Sequence, residues 1–361
     1  MDNILTKLFP IGRSAKTPKV GLDISGHSLR FVELLPRGKG YVLGHFGEKK
    51  IPDGVMQDGK IKDMEELKTA LSSLRSKYRM ASVNVSVPGG KTHFIRMGLS
   101  CADGCDVRAA VESKIGEHLI SGSSGDFVFD HAVISQNESE CDVEVSLFPR
   151  EIKEDYMRLF EGTGLTPSVF ESEEKAIGRS VLPRGDKGTR MIIDFGRIQA
   201  GVFIVSKGIP MLAATLGLGE QIIIDAIKEK FGVSEEKAER MKREYGLVKS
   251  SNDRDFFLTL ARPLSKMKDE IDKLFIYWRN YSAEQGKKSE KIESVILCGA
   301  GAGLPGLSDY LSANLRVPVS VANVWVNVNS FDEYIPEIPL NDSLRYAAAI
   351  GLALRGVYER E

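Results

Sequence analysis

Apolar and polar positions alternate with period two in Val20–Ile24, Leu29–Leu34 and Tyr41–Phe46, with Pro36, Arg37 and Gly38 between the last two. Such alternation predicts three consecutive half-buried strands. The period then lengthens: Met64, Leu67, Leu71 and Leu74 share one helical face over 64–78, and Ser82–Val87 returns to a strand closed by Pro88, Gly89 and Gly90. The opening pattern recurs in the second half. Met191 to Ile193 is an apolar run that ends in Asp194 and Gly196, crosses a short turn, and resumes as Ala200–Val205, which reads as a β-hairpin. Its N-terminal counterpart is Val20-Gly21-Leu22-Asp23-Ile24, then Ser25-Gly26-His27-Ser28, then Leu29–Glu33. Two copies predict a duplicated fold.

Between Lys91 and Thr166 the pattern differs, with a strand over 92–97, a helix over 107–119, paired strands over 127–135 and 142–148, and a helix over 151–161. This predicts a small α+β subdomain set into the first half. The segments 121–125 and 136–140 are polar and turn-rich, which predicts loops. A strand at 167–170 and a helix at 173–182 restore the first half, and 183–188 reads as a linker. After the second hairpin come a strand at 210–216 ending in Gly217 and Gly219, a helix at 220–231, and a serine-capped helix from Ser234 to Tyr245. A long amphipathic helix over 255–283 carries Phe257, Leu260, Leu264, Met267, Ile271, Leu274 and Trp278. The strand 291–297 runs into Gly299, Gly301 and Gly303, where missing side chains let backbone approach a ligand at the start of the next helix. A tight strand-to-helix turn alone could also demand them. A small-residue helix at 341–354 closes the pattern.

The chain has 361 residues, enough for two domains. Lys plus Arg number 49 against 50 for Asp plus Glu, so no strong positive field favours nucleic acid as a partner. Cys101, Cys105, Cys141 and Cys298 show neither a disulfide framework nor the two-residue spacing typical of zinc sites, and read as reduced thiols. The longest apolar run, 347–354, falls well short of a membrane span. Residues 1–19 lack the apolar region of a signal peptide, which predicts a cytoplasmic protein. There Ile4, Leu5, Leu8 and Phe9 fit a short docking helix as well as a frayed tail.

The β-β-β-α-β order of residues 20–87 is that of half a ribonuclease-H-like domain, and three glycine-bearing motifs follow the order found in actin-like ATPases. Residues 20–33 resemble a first phosphate hairpin, 191–205 a second, and 295–307 an adenosine motif. Gly21-Leu22-Asp23, Val87-Pro88-Gly89, Gly299 through Leu307 and Ala349 through Arg355 together resemble the type IV pilus assembly protein PilM family, with the cell-division protein FtsA a near relative. The resemblance implies an α/β, duplicated ribonuclease-H-like fold with an inserted SHS2-type subdomain. It divides the chain into a tail (1–19), domain 1A (20–90 and 167–189, the latter with the linker), the insert 1C (91–166), domain 2A (190–225 and 291–339), a helical subdomain 2B (226–290) and a C-terminal helix returning to 1A (340–361).

It further implies that the turns Ser25, Gly26, His27, Ser28 and Gly196, Arg197 cradle phosphates, and that Gly219 also contacts the nucleotide. Asp23 and Asp194 would hold Mg²⁺ directly or through water. Glu239 and Lys242 would reach the ribose, Gly299, Gly301 and Gly303 would admit adenine, and Glu171, with Glu173 close behind, would orient the attacking water of a weak ATPase. The implied partner is the cytoplasmic N-terminal segment of the membrane protein PilN, docked beside the insert at the inner face of the membrane, with other pilus platform proteins or a second copy as further partners. The turns depart from the family pattern: the first glycine is displaced by one, and Arg197, Ile198, Gln199 and Ala200 stand where hydroxyl residues are expected. Arg197 either replaces hydroxyls as a charged donor or fills the pocket. An ATP-responsive component, a nucleotide-independent scaffold and an FtsA-like division protein all fit, whereas a small-molecule kinase lacks an evident acceptor site.

Overall fold

The computed structural model describes residues 20–100, 106–118, 124–137, 139–248, 254–284 and 290–358. The expected N-terminal helix, and Cys101 and Cys105, lie outside them.

The first sheet is built from β1 (Val20–Ile24), β2 (Ser28–Arg37), β3 (Gly40–Lys50), β6 (Ser82–Val87) and β10 (Thr166–Ser172), in the order β10-β6-β1-β2-β3. Strands β1 to β3 form an antiparallel meander, and β6 and β10 add parallel to β1. The second sheet uses β11 (Thr189–Phe195), β12 (Ala200–Ser206), β13 (Ile209–Leu216), β14 (Ser294–Cys298) and β15 (Val319–Val321), ordered β13-β12-β11-β14-β15. It too is an antiparallel meander followed by two strands added in parallel. The two sheets therefore share one topology, and Asp23 and Asp194 each occupy the penultimate position of the first strand.

Alternation sorts the first sheet into two faces. Leu22, Phe31 and Val85 pack under α1 (Met64–Tyr78) and α3 (Arg150–Phe160). Helix α1 starts where Asp63 accepts the Glu66 amide at 3.0 Å. The opposite face carries Val32, Leu34, Gly21 and Asn84 and receives the C-terminal helix α10 (Ala347–Tyr358). Close seating explains the small residues of that helix. A Cβ on Gly21 would lie 2.0 Å from the Ala349 carbonyl oxygen, and one on Gly351 would lie 1.7 Å from that of Ala176 in α4 (Glu173–Val181).

Between β6 and α3 the chain forms a separate antiparallel sheet, β7 (His93–Ser100), β9 (Glu140–Pro149) and β8 (Phe127–Gln136), ordered β7-β9-β8 with α2 (Val107–Lys114). Its core of Met97, Leu99, Val111, Val143 and Val145 is its own. Helices α5 (Gln221–Phe231), α6 (Glu235–Tyr245) and α7 (Arg254–Glu284) stand on the second sheet, α7 running through Pro263. Two features go beyond the sequence pattern: the short hairpin β4 (Met56–Gln57) and β5 (Lys60–Ile61), and strand β15 after α8 (Leu307–Leu315). The closing helix is also interrupted, because Leu344–Tyr346 is a 3₁₀ turn between the four-residue α9 (Leu340–Ser343) and α10.

Candidate functional site

The two equivalent hairpins open into a single cleft of about 1400 Å³ between the sheets. That exceeds the several hundred Å³ typical of small-molecule sites. Asp23, Ser25, Gly26, His27 and Ser28 line it from one side, and Asp194, Gly196, Arg197, Ile198 and Gln199 from the other. Glu239, Lys242, Gly299 and Gly303 also line it, whereas Glu171, Gly219 and Gly301 do not.

Each turn is held so that backbone remains available. In the first, the Ser25 amide and hydroxyl both donate to the Ser28 carbonyl, at 3.0 and 2.9 Å, while His27 Nδ1 lies 3.1 Å from Asp53 Oδ1. In the second, the amides of Glu220 and Gln221 donate to the carbonyls of Gly196 (2.9 Å) and Arg197 (2.8 Å). Since a trans peptide places N–H opposite C=O, the amides of Arg197 and Ile198 point away from α5 and can face an anion. Gly219 makes this contact sterically feasible, because a Cβ there would lie 2.3 Å from the Ile198 carbonyl carbon. It supports the turn from behind.

The floor of the cleft is acidic. Asp23 accepts from the Ser86 hydroxyl at 2.8 Å and lies 3.9 Å from Arg30, which is itself 2.9 Å from Glu48. Burial raises the Asp23 pKa against the pull of Arg30. Burial and then the Asp23 charge push Asp194 up to about 6. Glu173 is pushed well above the carboxylate range by burial, then by Asp23 and Asp194. Three acids thus converge on one region, an arrangement that favours a cation. Among the described residues, no group of three His, Cys, Asp or Glu could by itself hold a metal ion. The donor set fits a hard cation that keeps waters and takes phosphate oxygens.

Glu171 has a different environment. Its carboxylate accepts from Arg179 at 2.6 and 2.7 Å and lies 2.7 Å from Arg355, and these arginines hold its pKa down despite burial. The acids that enter the cleft from this segment are Glu173 and Glu174, at the start of α4. Glu173 accepts the Gly89 amide at 3.0 Å and Glu174 the Gly90 amide at 3.2 Å, tying the loop after β6 to that helix. The sequence hinted at this only through two consecutive acids at a serine-capped helix start.

Around the glycine turn, Gly299 has a φ of +84°, and a Cβ there would lie 2.3 Å from Asp194 Oδ1. One on Gly301 would lie 2.5 Å from the Phe195 ring. Both glycines thus serve the fit of β14 against β11; Gly303, next to Asn341, faces the cleft. On α6, Glu239 accepts from Arg197 Nη1 at 3.0 Å, and Lys242 pairs with Glu220. Burial, then Arg243, Arg197 and Arg345, lower the Lys242 pKa to about 8.

Two sheets of equal topology, each presenting an aspartate-bearing hairpin to a shared cleft, define a duplicated ribonuclease-H-like, actin-like fold. Solved structures carry the same fold. MreB5 of Spiroplasma citri bound to ADP is similar at 14% identity over 96% of this chain and 99% of that one, with a TM-score of 0.57. The ethanolamine utilization protein EutJ from Carboxydothermus hydrogenoformans is similar at 15% identity over 95% and 91%, with a TM-score of 0.56. The chain belongs to the type IV pilus assembly protein PilM family, whose model matches residues 21–357. A PilM–PilN type IV pilus biogenesis complex is similar at 20% identity over 95% of this chain and 99% of that one, with a TM-score of 0.76. No helix among the described residues is long and apolar enough to cross a membrane.

Proposed function

We propose that the cleft binds Mg-ATP and that the chain acts in the type IV pilus assembly platform by docking the cytoplasmic N-terminal segment of a PilN-type membrane protein beside the 91–166 insert. The observation that carries the nucleotide part is the pair of equivalent turns facing one cleft with Asp23 and Asp194 at their bases. In this reading the turn amides take phosphate oxygens. Asp23 and Asp194 would hold Mg²⁺, directly or through water, and the ion would supply charge neutralisation for the phosphates. Glu239 and Lys242 meet the ribose, and the opening at Gly299 and Gly303 takes adenine.

The water-orienting role passes from Glu171 to Glu173, because two arginines occupy the Glu171 carboxylate and Glu173 lines the cleft. A weak ATPase is the most this predicts. Lys175, next to Glu173 and Glu174, lies 3.5 Å from Asp130 and 3.8 Å from Glu144 of the insert, so the start of α4 touches both the cleft and the partner-bearing subdomain. Docking on PilN would hold the chain at the inner face of the cytoplasmic membrane.

The scaffold reading also has a specific observation behind it: Arg197, Glu239 and Lys242 already have partners within the chain. Fluorescence anisotropy of a labelled PilN N-terminal peptide decides between the two. Binding that changes with Mg-ATP supports the ATP-responsive reading, binding indifferent to it supports the scaffold, and no binding in either condition contradicts the partner assignment.

A further inference from the structure

Arg197 stands in the second turn where hydroxyl residues would leave phosphates room, and its guanidinium is held by α6. Nη1 donates to Glu239 at 3.0 Å and Nη2 to Glu235 at 2.6 Å. These glutamates are four residues apart, so one face of the helix presents both. Lys228 lies 3.1 Å from Glu235 on its other side. The formal charge of Arg197, Glu235, Glu239 and Lys228 together is zero. An incoming phosphate chain therefore meets an arginine whose charge is already answered.

We infer that Arg197 is a phosphate-binding residue gated by these two carboxylates, and that a nucleotide enters by exchange of partners. Ribose hydroxyls donate to Glu239, which releases one side of the guanidinium, and Arg197 then donates to the phosphates. This rests on the nucleotide reading of the cleft and deepens it. The pairs are half-exposed, with side-chain exposures of 37% for Arg197, 45% for Glu235 and 34% for Glu239, which keeps them weak enough to exchange. Arginine prefers the bidentate, fully charged phosphate once a carboxylate leaves. Two consequences distinguish the gate from an ordinary ion pair. The two ends of the nucleotide bind cooperatively, because the ribose frees the residue that the phosphates need. Free phosphate or pyrophosphate, lacking a ribose, must displace a glutamate unaided and binds poorly.

Calorimetric titration of Mg-ATP and of adenosine into the full chain and its Glu235→Gln and Arg197→Ala variants, each first shown folded by a thermal melt, tests this. Glu235→Gln removes one competitor, so Mg-ATP binds roughly two- to five-fold more tightly, the range a half-exposed charge pair supports, while adenosine does not tighten. Arg197→Ala moves the two ligands in opposite directions. Adenosine tightens because Glu239 is freed, and Mg-ATP weakens about ten-fold or more through loss of a charge-assisted contact. If wild type binds Mg-ATP but Arg197→Ala weakens both ligands alike, or Glu235→Gln leaves Mg-ATP unchanged, the gate is overturned and the nucleotide reading stands. If neither ligand binds wild type or either variant, the nucleotide reading falls and the gate with it.

Discussion

Replacing Gly351 by alanine tests the packing that positions the cleft. In an ordinary helix the change stabilises by about 1 kcal/mol, because alanine loses less backbone entropy. Here the new Cβ would stand 1.7 Å from the Ala176 carbonyl oxygen and 2.5 Å from its carbonyl carbon, and neither belongs to a flexible side chain. Restoring ordinary contact at about 3.4 Å requires α10 and α4 to separate by roughly 1.7 Å. On its other side α10 is blocked, since a Cβ on Gly21 of β1 would lie 2.0 Å from the Ala349 carbonyl oxygen and Asn84 of β6 donates to the Leu352 carbonyl at 3.0 Å. Arg179 of α4 donates to the Gly351 carbonyl at 2.9 Å and holds the two helices together. Overpacking of this kind costs about 1–3 kcal/mol, occasionally more, and a clash with backbone that cannot swing aside belongs at the upper end, so after the gain of about 1 kcal/mol the net effect is a loss of about 2 kcal/mol. Equilibrium urea unfolding measures it. Gly116→Ala, with nothing within 4 Å of the added carbon, is the control and should be neutral or slightly stabilising. A Gly351→Ala protein as stable as wild type would refute the close packing of α10 on α4.

Glu171→Gln should destabilise by roughly 3 kcal/mol in the same assay, because it leaves Arg179 and Arg355 facing an uncharged group at a buried site; a change under about 0.5 kcal/mol would show that the cluster is not buried as described. Glu144 on β9 is fully buried, accepts from Ser146 at 2.5 Å, and has its pKa raised by burial, against the pull of Lys175, to about 7. Between its unfolded value near 4.5 and about 7 the folded chain holds the extra proton, so the contribution of this group falls as pH rises through that window and is constant above it. Glu144→Gln should therefore flatten the stability profile between pH 5 and 7.5 and be neutral or stabilising at pH 8, as urea unfolding across that range would show; an unchanged slope would contradict the assignment.

What was legible in the sequence follows from what repeats. The hairpins at Asp23 and Asp194 could be read because alternation stops at an acid and resumes after a turn, and that pattern survives in three dimensions as two equivalent strand ends. The topology of the two sheets follows from the order of those elements. Strands of two or three residues, such as β4, β5 and β15, are too short to show a period. Glu171 and Glu173 could not be told apart, because the difference lies in where each side chain points at a strand-to-helix junction and in two arginines, Arg179 in the helix that follows and Arg355 far away in sequence in α10. The glycine turn was visible, but its partners were not: Gly301 is explained by the Phe195 ring more than 100 positions earlier. Nor does composition show that Arg197 is tied to Glu235 and Glu239, since a charged turn and a charged helix face look alike whether paired or solvated.

The most direct test of the central claim, that the cleft binds nucleotide through its acidic floor, is a thermal melt with and without Mg-ATP for wild type and Asp23→Ala. Ligand at about one hundred times its dissociation constant stabilises a folded protein by roughly 2.7 kcal/mol, which moves the midpoint of a chain of this size by several degrees. The account predicts that rise in the wild type and its loss in the variant. An unmoved wild-type midpoint at millimolar Mg-ATP, or an equal rise in Asp23→Ala, would contradict it.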